Sequence, residues 1–241
     1  MQHVIFKDLG LIDYRSAWDY QENLLQENIA VKALNRNDPA NAEQNLTHHY
    51  FLLCEHNPVY TLGKSGDIKN VLMSEAELSK NNIEFFKTNR GGDITFHGPG
   101  QIVGYPILDL EKYYTDIGKY LRNLEEVIIL TLAEYGVIGE RSSGETGVWL
   151  DPGVKGSERK ICAIGVRCSR WITMHGFALN VNTDLSYFNN IIPCGISHKQ
   201  VTSLERELGT KQNFDEVREK IKNNFQKTFQ AQLLTQESIQ L

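Results

Sequence analysis

Apolar residues recur at helical spacing in three segments of this chain. From Arg15 to Leu34 the residues Trp18, Leu25 and Ile29 fall on one face, with Ser16 near the start. From Lys119 to Tyr135 the face carries Leu121, Leu124, Ile128 and Leu132, and Gly136 follows as a C′ glycine should. From Asp215 to Phe229 the stripe is Phe214, Val217, Ile221, Phe225 and Phe229. Shorter segments read as strands. Val4 to Phe6 predicts a short edge strand, and the unbroken apolar run Tyr50 to Cys54 a buried one. His56-Asn57-Pro58 marks a turn before a strand at Val59 to Leu62. Ser74 and Glu77 form a capping-box pair for a short helix through Leu78, and Ile83 to Phe86 reads as a strand. Gly147 to Leu150, Lys160 to Val166 and Ile172 to Val181 read as further strands, with Arg167 to Arg170 as a hairpin turn. Residues 35–47 are polar and carry Pro39, which predicts a surface loop; residues 182–200 show little periodicity.

Strand pairs joined by short turns, with helices set between groups, predict an α+β fold with a largely antiparallel or mixed sheet. No internal repeat or low-complexity segment divides the chain, so 1–241 is read as a single catalytic domain. At 241 residues it buries about three-quarters of its unfolded surface and needs no disulfide or metal staple. The net charge of -5 argues against nucleic acid as the main partner, since phosphate binding wants a basic surface. No run of about 18 apolar residues exists to span a membrane. The N-terminus lacks the features of a secretory or mitochondrial leader, so a bacterial cytoplasm is the expected setting. Cys54, Cys162, Cys168 and Cys194 match no CxxC spacing, so free thiols are expected and no metal.

The chemistry-bearing residues gather in a few places. Arg90 to Leu110, RGGDITFHGPGQIVGYPILDL, crowds Gly91, Gly92, Gly98 and Gly100 around His97. Such a cluster requires a tightly bent backbone or one that approaches something closely. Cys194 lies in Pro193-Cys194-Gly195, at the end of an apolar run, where it reads either as a nucleophile or as an inert buried thiol. Lys160 opens a strand; a lysine there is either solvated or placed to favour a thiolate and carry a proton. His97 and His175 each precede a glycine and read as turn or core histidines. Cys162 reads as packing and Cys168 as an exposed turn residue. Lys155, Arg159, Lys160, Arg167 and Arg170 cluster in sequence and could form a basic docking patch or an ordinary solvated hairpin. No GxxxxGK[ST] loop is present, and nothing calls for ATP.

Taken in order, EHNPVYTLGKSG, RGGDITFHGPGQ, KICAIG, HGFALNVN, PCGI and VTSL resemble the lipoyl(octanoyl) transferase family over roughly residues 50–205. The resemblance implies the biotin/lipoate protein ligase fold, an α+β domain around a mixed sheet. It implies transfer of an octanoyl or lipoyl group from acyl carrier protein to a lysine of lipoyl domains of 2-oxoacid dehydrogenases or of the glycine cleavage H protein. Cys194 would be the acyl-thioester nucleophile, and Lys160 would lower its pKa and shuttle the proton. Arg90, Gly91, Gly92, Asp93, Ile94, Thr95, Phe96 and His97 would line the acyl site, together with Ala163, Ile164, Gly165, His175, Gly176 and Phe177. No cofactor is expected beyond the phosphopantetheine arm of the donor, and a monomer is the family's usual state. One departure is Cys162, where the family commonly has alanine. Three other readings compete: an ATP-dependent lipoate or biotin ligase of the same fold, a non-catalytic acyl-binding module, and a cysteine hydrolase pairing Cys194 with His175 or His97.

Overall fold

A computed structural model describes residues 1–41, 44–192 and 200–235. Strand β1 (Gln2–Leu11) leads into helix α1 (Tyr14–Asn37). Asp13 caps this helix by accepting the N–H of Ser16 at 2.8 Å, so the aspartate rather than the expected serine sets its start. Strands β2 (His49–Glu55) and β3 (Val59–Leu62) flank the His-Asn-Pro turn as expected. Helix α2 (Glu75–Lys80) carries both hydrogen bonds of the Ser74–Glu77 capping box. Next come β4 (Glu84–Lys87), β5 (Ile94–His97), β6 (Gln101–Ile107) and α3 (Ile117–Ala133). Val137 N–H reaches back to Leu132 O across Gly136, whose φ of 72° closes α3 in the way its glycine predicts. Then follow β7 (Glu140–Ser142), β8 (Glu145–Leu150), β9 (Arg159–Ser169), β10 (Ile172–Asn180), β11 (Gln200–Val201), α4 (Leu204–Leu208), α5 (Phe214–Phe229) and β12 (Ala231–Leu234).

Among the described residues nine strands form one sheet, in the order β12-β1-β2-β6-β10-β9-β8-β7 with β11 beside β9. The β12–β1, β1–β2 and β11–β9 pairs are parallel and the rest antiparallel, so the sheet is mixed and largely antiparallel, as expected for this α+β chain. A second, three-stranded sheet, β4-β3-β5, was not foreseen. Val4 to Phe6 is not an edge: β1 lies between β12 and β2. The β9–β10 turn is also shorter than expected. Arg170 and Trp171, at φ 50° and 66°, make a two-residue turn of the kind that matches strand twist, and both strands run up to it. The strands β7, β11 and β12 went unread because they are short or polar.

Helices α3 and α5 pack on one face of the large sheet, and α1 on the other. The α5 stripe seats Phe225 flat on Phe51, centroids 4.2 Å apart, and a fully buried aromatic of this kind contributes about 3 kcal/mol. The small sheet keeps its own core, where Tyr60, Phe96, Phe188 and Ile191 pack together.

Candidate active site

Three neighbouring strands place short side chains on one face. Register sets Val103, Ala178 and Ala163 abreast on β6, β10 and β9, with Gln101 opposite Asn180. Gly176 and Gly165 pair two residues further on. Side chains alternate along strands with period two, so these rungs share a side. A mostly apolar cleft of about 370 Å³ is lined by this face, by Tyr14 of α1, by the Arg90–Thr95 stretch and by the tip of the β7–β8 hairpin. That volume is in the range of small-molecule sites.

The Arg-Gly-Gly loop is stitched down on both sides. Gly91 N–H donates to Val166 O at 2.9 Å on β9. On the other flank Lys64 N–H donates to Arg90 O at 3.0 Å and Ser65 N–H to Gly92 O at 3.1 Å. The approach is so close that a Cβ on Gly165 would lie 2.8 Å from Gly91 O, and one on Gly63 2.2 Å from Gly92 O. Only glycine fits at either place. The buried Arg90 guanidinium donates through Nη2 to Thr61 O (2.6 Å) and Thr61 Oγ1 (2.9 Å), and through Nη1 to Gly91 O (3.0 Å). It ties the loop to β3.

The proton positions on His97 follow from its neighbours. Asn180 Nδ2 donates to Thr202 O at 3.0 Å, so its Oδ1 accepts from Gln101 Nε2 at 2.9 Å. Gln101 Nε2 also donates to Phe96 O at 3.1 Å, which leaves Gln101 Oε1 facing His97 Nδ1 at 2.8 Å. Nδ1 therefore donates, and Nε2 accepts from the Thr61 hydroxyl at 3.3 Å. Burial, then the neighbouring His56 and Arg90, hold the His97 pKa well below its usual value. His97 is thus a neutral wall residue with both nitrogens engaged. His175 sits at φ 58°, its N–H donating to Gln21 Oε1 (2.9 Å) and its Nε2 lying 2.7 Å from Asn89 Oδ1. Burial, helped by Arg90 and Arg167, lowers its pKa to about 3.

Lys160 lines the cleft from β9. Its ammonium lies 4.5 Å from the centre of the Trp149 ring on β8, a cation–π distance. Gly147 beside it has φ 124°, and a Cβ there would meet Cys162 O at 2.6 Å and the lysine stem at 3.5 Å. Val201 pairs with Lys160, and Thr202 N–H donates to Lys160 O at 2.9 Å. Cys194 lies outside the described residues. Its nearest described neighbours in the chain are Ile192, whose N–H donates to Asn70 O at 2.9 Å, and Gln200, which pairs with Arg159. The three described cysteines, Cys54, Cys162 and Cys168, have thiol pKa values pushed up by burial, which suits packing rather than nucleophilic attack. Cys168 is half-buried, not the exposed turn residue expected.

Of the residues expected to line the site, Arg90, Gly92, Asp93, Ile94, Thr95, His97, Lys160, Ala163, Ile164, Gly165, His175, Gly176 and Phe177 line this cleft. Gly91 and Phe96 do not. Phe96 points into the small sheet's core and stacks on Tyr187 at 4.5 Å, because alternation along β5 turns it away from the cleft. Tyr14, Gln101, Val103, Tyr105, Ala178 and Asn180 also line it and were not singled out. Period-two alternation on β6 and β10 was the available signal for five of them; Tyr14 had none. The sequence cluster of basic residues is not a spatial one. Arg159 and Lys160 start β9, and Arg167 lies seven residues beyond Lys160 near its other end, about 23 Å away at ~3.3 Å per residue. Arg159 is bound to Glu207 and Asp151, and Arg167 to Glu22. Among the described residues no three His, Cys, Asp or Glu side chains are placed to hold a metal ion, and no helix is long and apolar enough to cross a membrane.

Over residues 13–226 the chain matches the family described as the lipoyl protein ligase A/B catalytic domain. It is 60% identical to an octanoyltransferase of Christiangramia forsetii over 233 residues, which covers 96% of this chain and 98% of that one. It is likewise 60% identical to an octanoyltransferase of Flavobacterium psychrophilum, with 95% and 97% covered. Among solved structures it resembles a bi-partite lipoate protein ligase from Thermoplasma acidophilum (TM-score 0.68, 16% identity, 98% of this chain and 87% of that one). It also resembles a lipoate-protein ligase A bound with ATP (TM-score 0.65, 14% identity, 97% and 88%). These structural likenesses establish the fold, which is the ligase fold expected from sequence.

Proposed function

The chain belongs to the lipoyl protein ligase A/B catalytic domain family, on the octanoyltransferase side of it, and from that we propose that it moves an octanoyl or lipoyl group from acyl carrier protein to a lysine of lipoyl domains. The observation that carries the reading is the cleft itself: an apolar slot built on short side chains, with Lys160 among its lining residues. An eight-carbon chain buried there contributes about 5 kcal/mol at roughly 0.8 kcal/mol per methylene. The 60% identity to octanoyltransferases over nearly the whole of both chains supports the same reading.

In this reading Cys194 attacks as a thiolate. A C–S bond forms to the donor carbonyl, the bond to the pantetheine sulfur breaks, and that sulfur leaves with a proton from the Lys160 ammonium. The ε-amine of the acceptor lysine then attacks the acyl-cysteine. A C–N bond forms, the Cys194 thiolate departs, and the amine's proton passes to the now neutral Lys160. Exchange of one thioester for another is nearly balanced and amide formation is downhill, so no nucleotide enters. The Trp149 face holds the Lys160 ammonium between turnovers, and the inert character of Cys54, Cys162 and Cys168 is consistent with Cys194 as the nucleophile.

Intact mass spectrometry after mixing with octanoyl-acyl carrier protein tests the scheme. The expected result is one octanoyl adduct, lost on adding an apo lipoyl domain and absent in Cys194→Ser. A persisting adduct on Cys194→Ser, or transfer that needs ATP and free octanoate, sinks it. Lys160→Ala is expected to raise the pH needed to alkylate Cys194; an unchanged alkylation profile removes the activating role.

A further inference from the structure

The loop that walls the cleft at Gly92 and Asp93 and the chain that runs on to Cys194 meet at one residue, Asn70. Asp67 shapes its surroundings. The Asp67 Oδ1 accepts Lys69 N–H at 3.0 Å and its carbonyl accepts Asn70 N–H at 2.9 Å, which closes a single 3₁₀ turn, Ile68–Asn70. From that turn Asn70 reaches two ways. Its Nδ2 donates to Oδ2 of Asp93 at 2.9 Å, and Asp93 lines the cleft. Its carbonyl accepts Ile192 N–H at 2.9 Å, while Leu72 N–H donates to Asn190 O at 2.9 Å, so that an antiparallel bridge forms between Val71 and Ile191. We propose that Asn70 is a positioning residue: by clamping Ile192 to Asp93 it sets where Cys194 meets the acyl group held in the cleft. The clamp rests on the reading of Cys194 as the nucleophile.

Both jaws are held from behind. Asp93 Oδ1 accepts Ile94 N–H at 2.7 Å, the Asp93 carbonyl accepts Gly63 N–H at 3.2 Å, and a Cβ on Gly66 would lie 2.6 Å from Oδ1. Oδ2 is the oxygen turned to Asn70. A carboxylate can only accept, so the Asn70 amide must donate, and a bond to a charged acceptor is of the stronger kind. On the other side Ile191 is buried in the core of the small sheet. The Tyr60 hydroxyl donates to Tyr187 O at 2.7 Å and accepts from Asn190 Nδ2 at 3.4 Å. Cys194 is two residues beyond Ile192 and six before Gln200, so Ile192 is its nearer anchor among the described residues. Two residues of chain reach at most about 7 Å. A shift of the Asn70 turn therefore moves the point from which Cys194 approaches the acyl carbonyl. A misplacement of about 1 Å can cost on the order of a hundredfold in rate.

The test uses the full chain with three variants: Asn70→Ala, Asn70→Asp, and the exchange Asn70→Asp with Asp93→Asn. The first removes the donor without changing charge, and the second sets two carboxylates against each other. The exchange restores one donor and one carboxylate at the wild-type net charge, since the amide at 93 can donate to the carboxylate at 70 and still accept Ile94 N–H. Octanoyl adduct formation from octanoyl-acyl carrier protein is followed in single turnovers by intact mass, and Cys194 alkylation by iodoacetamide is followed against pH. Both single variants are expected to form the adduct about tenfold or more slowly at saturating donor, with the half-saturating donor concentration within about twofold of wild type. The exchange is expected to return most of the rate. Asn70→Ser serves where the alanine variant does not fold. A wild-type rate in the folded single variants, a loss confined to half-saturation, or a slow exchange variant overturns the clamp and leaves the transfer reading standing. A wild type that forms no adduct overturns the transfer reading instead. Alkylation then decides the clamp: a profile displaced in Asn70→Ala and restored in the exchange upholds it, and coincident profiles overturn it.

Discussion

Acid is the perturbation this fold should resist least. His49, His56 and His175 are 5%, 0% and 2% exposed. Burial, first among the causes in each, lowers their pKa values to about 4, 4 and 3. In the unfolded chain each returns to about 6.5. Between those limits the unfolded state binds more protons than the folded one, so stability rises with pH and is lost as pH falls below about 6.5. At pH 5 each histidine costs the folded state about 2 kcal/mol relative to neutral pH, and the three together roughly 6 kcal/mol. His97, shifted the same way, adds to the loss. A whole domain has only about 5–15 kcal/mol to lose. Urea unfolding followed by tryptophan fluorescence from pH 7.5 to 4.5 is therefore expected to show a steep fall beginning below pH 6.5. His56→Gln removes one titrating group. Whatever it does to stability at pH 7, its slope near pH 5 should be shallower by about 1.4 kcal/mol per pH unit, the value of one proton. Wild-type and variant curves that run parallel through that window would refute the claim that His56 is buried neutral.

Two further substitutions address the frame of the site. Gly165→Val puts a branched side chain against Gly91 O and is expected to destabilise by about 1–3 kcal/mol while displacing the Arg-Gly-Gly loop; a wild-type melting temperature would contradict the close approach. Glu125 is fully buried and accepts Gly147 N–H at 3.1 Å and Arg141 Nε at 3.1 Å, with Arg122 at 2.7 Å. Glu125→Gln should cost about 1–3 kcal/mol and speed hydrogen exchange at the Gly147 amide; unchanged exchange there would mean the hairpin does not depend on this carboxylate.

The elements with strong periodicity were legible in advance. Three helices and most long strands were readable because their apolar residues recur at helical spacing, as in Val217, Ile221 and Phe225, or form an unbroken run, as in Tyr50 to Cys54. The strand β12 was not, because Ala231–Leu234 follows a helix without a turn signal and acquires its meaning only by pairing with β1. The small sheet was equally hidden: β3, β4 and β5 look like strands of any sheet, and only pairing separates them. For the site, ordered motifs located one wall well, since glycines such as Gly63 and Gly165 are required by close approach of distant segments. Tyr14 carries no local mark, and Tyr105 only the alternation of its strand. Their place at the cleft comes from α1 crossing the sheet and from the register of β6, which are properties of the assembled fold.

The buried Arg90 guanidinium links these features. It contributes, after burial, to keeping His97 and His175 neutral, and it also bonds the loop to Thr61. A neutral wall can lie against a hydrocarbon chain, whereas an imidazolium there would bring an uncompensated charge into apolar surroundings. In the proposed scheme Lys160 supplies the proton chemistry, and the histidines serve the slot by staying uncharged. It follows that a loss of transfer below about pH 6 is not the signature of a histidine base. It reports the folded state giving way as the wall takes up protons. The two causes separate experimentally, because a titrating base lowers the rate at constant fluorescence, while loss of the wall lowers both together.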